Sequence, residues 1–289
     1  MEMTIQIPKD VQAQSLSSLL EKQWLIPRKT RHFLRMRKNV WVNQHPAIFS
    51  QIVHPSDIVT LKFEDTDYPL PTILLGDEKK INVLYEDEHL IVVDKPTGIK
   101  THPNSSGETD TLLNHLAAYL IQTHHVPYVV HRIDQETSGV ILFAKNPVVL
   151  PILCQMLERK QITRRYQAIV AGQLSEKTLT IRKKIGRNRH DRRKYCIDER
   201  SGKTACTHIT VLKQTHTHAQ ILCELETGRT HQIRVHLSSV GHPILGDTLY
   251  HLHPEESPRL MLHADTLCFT HPFTGEKLQI NSQNSLFKP

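Results

Sequence analysis

The longest strongly apolar runs of this chain, such as Val140-Ile-Leu-Phe-Ala144, are only as long as a strand. A membrane helix needs roughly 20 apolar residues in succession, so a helical membrane span is excluded and no membrane partner is expected. With 289 residues, 38% hydrophobic and 22% charged, the chain can bury the core of one large domain or of two smaller ones. Its 11 glycines and 16 prolines are too few for a collagen-like or low-complexity chain. The N-terminal stretch Met-Glu-Met-Thr-Ile-Gln-Ile-Pro-Lys-Asp has neither the basic start nor the apolar run of a signal peptide, so a cytoplasmic protein is expected. Cys154, Cys196, Cys206, Cys223 and Cys268 form no C-x-x-C pair, which suggests free thiols and neither a disulfide framework nor a structural zinc site.

The chain divides near residue 65. Before that point, Ser15 to Trp24 and Lys29 to Arg37 read as two short helices separated by Pro27, and Val40-Trp-Val-Asn43 and Asp57 to Phe63 alternate like strands. Residues 1–65 therefore predict a small α+β module. The acidic, proline-bearing stretch Glu64 to Pro71 opens a linker over 66–79, and residues 80–289 form the second domain. There, Ile81 to Tyr85 and Leu90 to Val93 predict paired strands. Leu112, Leu116 and Leu120 repeat every four residues on one helix face. Pro147 is placed to open a further helix through Lys160, and Tyr166 to Val170 returns to strand. Several connections are too short for a parallel crossover, so the class is α+β, with a mixed, mainly antiparallel sheet flanked by helices and loops.

The net charge of +7 is clustered. Arg28, Lys29, Arg31, Arg35, Arg37 and Lys38 fall within eleven residues with no acid among them. A second cluster runs from Arg182 to Lys194, with Asp191 as its one acid. Two such clusters suit a phosphate backbone, which proteins grip largely through Lys and Arg, and RNA or DNA is the expected partner.

Two polar strings could carry chemistry. His131-Arg-Ile-Asp-Gln-Glu-Thr-Ser-Gly139 opens directly into the apolar strand Val140 to Ala144, a rigid support for a reactive group. In Thr227-Gly-Arg-Thr-His-Gln-Ile-Arg-Val-His236 the Thr-Gly-Arg turn leads into a short element with three cationic or potentially cationic side chains. His231 and His236 lack the spacing and the glutamate of a zinc protease motif, so no metal is expected. Gly202-Lys-Thr204 resembles the end of a phosphate-binding loop, but Ile197 stands where its first glycine is required.

These strings resemble the motifs of the RluA-type pseudouridine synthases. The likeness extends through Tyr85 to Gly98, Arg164 to Gly172, Gly241-His-Pro-Ile-Leu-Gly-Asp247 and Arg259 to Ala264, in the family's order. Residues 1–65 resemble the small RNA-binding module first seen in ribosomal protein S-four, with Lys38-Asn39 where a glycine is usual. The resemblance implies an isomerase that detaches uracil from its sugar and rejoins it through carbon 5, in rRNA or tRNA, with no cofactor. It implies Asp134 as the essential carboxylate, acting as nucleophile or as base, and Arg234 as the guanidinium that favours its ionised form. Tyr166 matches the tyrosine that stacks on the target base, and Arg132 the residue that props the gap left when the base is extruded. Arg164 stands in the place of a family lysine, and Arg229 falls to phosphate binding or loop bracing. The segment 182–194 is expected to be an RNA-facing hairpin or loop, and the protein a monomer. A catalytically inactive RNA-binding protein of the same fold is the alternative. A glycosidic hydrolase would need Glu136 to converge on Asp134.

Overall fold

A computed structural model describes residues 1–284. The front of the chain builds a four-stranded antiparallel sheet in the order Glu2–Gln6, Ile58–Lys62, Val40–Val42, His45–Pro46. Strand alternation sends Met3, Ile5, Val40, Val42, Val59 and Leu61 to one face, where they meet Leu16, Leu19, Leu20, Trp24 and Leu34. The helix expected over 15–24 is only partly α-helical. After Leu16–Ser18 it widens into a π turn over Leu19–Gln23, closed by the Trp24 N–H donating to the Leu19 carbonyl at 2.9 Å. Leu19, Leu20 and Trp24 all end up fully buried, and single π turns of this kind, rare overall, occur within α-helices. The next helix spans Arg28–Arg37 and stops at Lys38, whose φ of +56° is the left-handed cap conformation that glycine adopts most easily. This is the backbone reason for the glycine usual at this point of such modules.

Among the described residues the large sheet carries ten strands. Its main path runs Thr178–Arg182, Cys206–Gln214, His218–Leu225, Ile162–Ala171, Leu262–Thr270, Ser138–Ala144, Leu90–Lys95, Val83–Glu86, with two further strands paired at the sides. Every pairing is antiparallel except one. Ser138–Ala144 runs parallel to Leu262–Thr270 through Ser138 opposite His263 and Gly139 opposite Ala264. At that seam Gly139 has φ +110°, and a Cβ on it would lie 2.1 Å from the Ala264 carbonyl oxygen. Only a glycine lets the two backbones approach so closely.

The faces of this sheet are covered differently. Ile91, Val93, Ile141 and Phe143 point toward the helix Leu112–Leu120. Leu90, Val92, Val140, Leu142 and Ala144 point toward the helix Val149–Glu158. Asn146 Oδ1 accepts from the Val148 and Val149 N–H groups, as an N-cap does, which puts Pro147 in the first turn of this second helix as expected. The apolar cluster on this face continues into the front module, where Trp24 meets Phe273 edge-on at 5.8 Å. The basic segment forms a hairpin, Ile185–Arg187 against Tyr195–Ile197, with Arg187, Arg189, Arg192 and Arg193 exposed. Among the described residues no helix is long and apolar enough to cross a membrane.

Candidate active site

The loop that enters the parallel seam carries Asp134, and it is clamped from below by the turn after Leu90–Lys95. Lys95 is 1% exposed, and its Nζ donates to the carbonyls of Pro96, Ile99 and Gln135 at 2.8–2.9 Å. The Gly98 N–H donates to Gln135 O, Thr97 to Glu136 O, and Thr101 to Ile133 O. Burial lowers the Lys95 pKa to about 7 against the pull of Asp134 and Glu136. The backbone on both sides of Asp134 is thus fixed by donors from one short turn.

Opposite this loop the helix Gln232–Ser238 delivers Arg234. Its Nη1 donates to Asp134 Oδ2 at 3.3 Å, while Nε and Nη2 grip both oxygens of Asp247 at 2.8 and 2.7 Å. Arg234 is 4% exposed and Asp247 is 1% exposed. Burial opposes the guanidinium charge, but Asp247 and then Asp134 outweigh it and raise the Arg234 pKa. Asp247 is itself held by the N–H groups of Leu249 and Tyr250. The turn into it is possible because Gly246, at φ +71°, passes where a Cβ would meet Arg259 O at 1.9 Å. The bidentate pair leaves one guanidinium nitrogen to address Asp134. Asp134 Oδ1 has no hydrogen-bond partner among the described residues.

Tyr166 lies on the neighbouring strand and is 5% exposed. The pairing of its strand with Leu262–Thr270 slips between Arg165 and Tyr166, a bulge that re-aims the side chain. Burial raises the Tyr166 pKa, helped by Asp134 and opposed by Arg164. Asp134, Tyr166 and Arg234 line one open cleft of about 830 Å³, together with Arg132, Arg164 and Arg229. This arrangement offers a carboxylate at the floor, an aromatic ring beside it and several cations around the opening, as needed to hold and process a base attached to a phosphate backbone.

The RNA pseudouridylate synthase pattern matches residues 89–239, and the RluD ribosomal pseudouridine synthase N-terminal domain matches residues 3–59. The chain belongs to the RNA pseudouridylate synthase family. It is an isomerase that makes pseudouridine, and RNA is its partner. It is 40% identical over 245 residues to an uncharacterized RNA pseudouridine synthase, YhcT, of Bacillus subtilis, covering 83% of this chain and 79% of that one. It is 38% identical over 216 residues to the ribosomal large subunit pseudouridine synthase D of Neisseria meningitidis, covering 70% and 58%. The structure of human RNA pseudouridylate synthase domain containing 1 superposes with a TM-score of 0.61 at 26% identity, over 72% of this chain and 85% of that one.

All six residues singled out from the synthase's sequence therefore share one cleft. Arg132 is exposed, and Arg229 braces a loop by donating from Nε to Thr204 O at 3.0 Å. Glu136 is exposed and absent from the cleft lining, so the second acid of a hydrolase is not supplied from that position. His131 and His236 are buried supports. His131 Nε2 accepts from Leu142 N–H, and His236 contacts Thr207 Oγ1 and the Lys183 carbonyl. Sequence reasoning gave no role to Asp247, Lys95 or Tyr250. Asp247 stands within a matched block, and Lys95 is a charge at the end of a wholly buried strand, so each carried a signal.

At the rim, donor atoms of Cys206, His208 and Glu226 lie within 4.8 Å of one another. Glu226 already accepts from His208 at 2.7 Å, Lys160 at 2.6 Å and Arg182 at 3.1 Å. With two cations on that carboxylate, the cluster is an ion-pair knot and a poor cation site.

Proposed function

We propose that this synthase isomerises uridines of ribosomal RNA, with Asp134 as the reacting carboxylate. The observation that carries the reading is the Asp134 carboxylate itself, with Oδ2 held by an arginine that Asp247 locks in place and Oδ1 without a partner among the described residues. A group acting as nucleophile or base needs a free oxygen, and a guanidinium fixed on Oδ2 leaves Oδ1 to serve. Tyr166 offers an aromatic face for the extruded uracil, and stacking of this kind contributes about 1–3 kcal/mol per base. Arg132, exposed beside Asp134, is long and planar enough to occupy the gap left in the RNA. Arg164 and the hairpin Ile185–Ile197 add positive charge for the phosphates, and the helix Arg28–Arg37 carries a separate basic cluster suited to the same backbone. Ribosomal RNA is favoured over transfer RNA because the front of the chain matches the RluD N-terminal domain and several relatives carry the name ribosomal large subunit pseudouridine synthase D.

During the reaction the N1 to C1′ bond breaks, the uracil turns, a C5 to C1′ bond forms, and the proton on carbon 5 leaves. Tritium placed at carbon 5 of uridine therefore reports turnover. Wild type is expected to release it from ribosomal RNA transcripts in preference to transfer RNA. Asp134→Asn is expected to abolish release while RNA affinity stays within a few-fold. Release by the variant removes Asp134 from its role. Tight, salt-sensitive binding by wild type to both RNA classes without release favours a binding-only protein.

A further inference from the structure

Behind Asp134 lies a chain of polar contacts that the mechanism above does not use. The Tyr250 hydroxyl accepts from the Tyr195 backbone N–H at 2.7 Å and meets His231 Nδ1 at 2.8 Å. His231 Nε2 faces Asp134 Oδ2 at 3.9 Å. The Tyr250 ring also lies 5.1 Å from the Arg234 guanidinium carbon, and it packs edge-on to His231 at 5.7 Å.

A hydroxyl has one hydrogen to give. The Tyr195 N–H already donates to the Tyr250 oxygen, so that hydrogen has one acceptor available among the described residues, His231 Nδ1. An imidazole accepting at Nδ1 carries its proton at Nε2. Burial lowers the His231 pKa against the pull of Asp134, with Arg234 acting in the same direction as burial, and this favours the neutral ring. Burial raises the Tyr250 pKa to about 12, so the phenol keeps its hydrogen.

We propose that Tyr250 and His231 are positioning residues for the reaction: the Tyr250 hydroxyl holds His231 in its Nε2–H tautomer, aimed at the Asp134 oxygen that Arg234 also addresses. Arg234 then donates to Oδ2 while the His231 Nε2–H faces the same oxygen from 3.9 Å, and together they leave Oδ1 to react. The N–H that completes the relay comes from Tyr195, on the basic hairpin. Seating of RNA on that hairpin is thereby linked to the orientation of the carboxylate. The proposal rests on the reading of Asp134 as the reacting group.

The test combines nitrogen-15 NMR of histidine-labelled free protein with single-turnover tritium release. The His231 signals are assigned by their loss in His231→Gln. Wild type is expected to show a neutral ring with its proton on Nε2. Tyr250→Phe keeps the aromatic ring over Arg234, yet it should mix the tautomers and slow single turnover by at least about tenfold, with RNA affinity unchanged. In a His231→Gln background, Tyr250→Phe should have no further effect on the rate. An Nδ1–H or doubly protonated His231 in wild type, or an undiminished rate in Tyr250→Phe, overturns the proposal. Turnover surviving in Asp134→Asn would instead bring down the reading of Asp134, and the tautomer measurement would be unaffected.

Discussion

On the cleft face of the large sheet, buried charge does the organising. Arg234, Asp247 and Lys95 are each 4% exposed or less, and each is matched to partners that satisfy it. On the opposite face a large hydrocarbon cluster runs from the front module through Trp24 and Phe273 to the helix Val149–Glu158, and its buried polar contacts, His271 with Asp87 and Lys145 with Glu86, are gathered at the edge of that cluster beside Phe273. The physics of the two differs. Packed hydrocarbon loses stability roughly in proportion to what is removed, whereas a buried ion pair adds little net stability and is costly to break on one side only. The rear face can therefore be read as a source of stability, and the cleft face as a geometry maintained at some cost. Substitutions at the rear should change unfolding and spare the rate, and those in the cleft should change the rate.

Asp247→Ala should break that division most strongly. It strands a buried guanidinium and also removes the acceptor for two backbone N–H groups that place Tyr250. Loss of one partner of a buried pair costs about 3–5 kcal/mol, measurable by urea unfolding. Turnover should fall about a hundredfold as Arg234 loses its aim. Unfolding at the wild-type midpoint would show that Arg234 finds another partner and that the pair does not organise the cleft.

Trp24→Ala sharpens the comparison from the other side. Trp24 is fully buried, and truncating such an aromatic costs about 3–5 kcal/mol. At a temperature where the variant remains folded, the single-turnover rate should match wild type within twofold or so. A large loss of rate in the folded variant would mean that the rear face is coupled to the cleft through the sheet.

How much of this was legible in the sequence follows from the range of the interactions concerned. The Asp134 and Arg234 pairing, 100 residues apart, was readable because each residue sits in a dense polar string that the family resemblance joins. The stripe of Leu112, Leu116 and Leu120 gave its helix because periodicity is local. The π turn at Leu19–Gln23 was not readable, since over five residues its period cannot be told from that of an α-helix. The slip at Tyr166 carries no glycine or proline to announce it. Asp247 could be matched as part of a block, but its role depends on where the helix Gln232–Ser238 delivers Arg234. Tyr250 acts through a backbone N–H of a hairpin 55 residues earlier, a partner that no side-chain pattern records.

The smallest effect is expected where the two faces meet. His131 belongs to the loop that carries Asp134, yet its Nε2 accepts from the N–H of Leu142, whose side chain packs on the rear face. Burial, with a contribution from the charge of Arg164, lowers its pKa from 6.5 to about 3. Between those values the unfolded chain binds a proton that the fold excludes, so acid favours unfolding. Stability from this group is intact above pH 6.5 and declines as the pH falls toward 3, by at most about 1.4 kcal/mol per pH unit. His131→Gln removes the titration while keeping an acceptor for Leu142. Its urea midpoint should therefore fall less steeply than that of wild type between pH 6.5 and 4.5, whatever it loses at neutral pH. Parallel slopes would mean that His131 takes up its proton without unfolding, and the junction between the faces would then be looser than a ring buried to this degree implies.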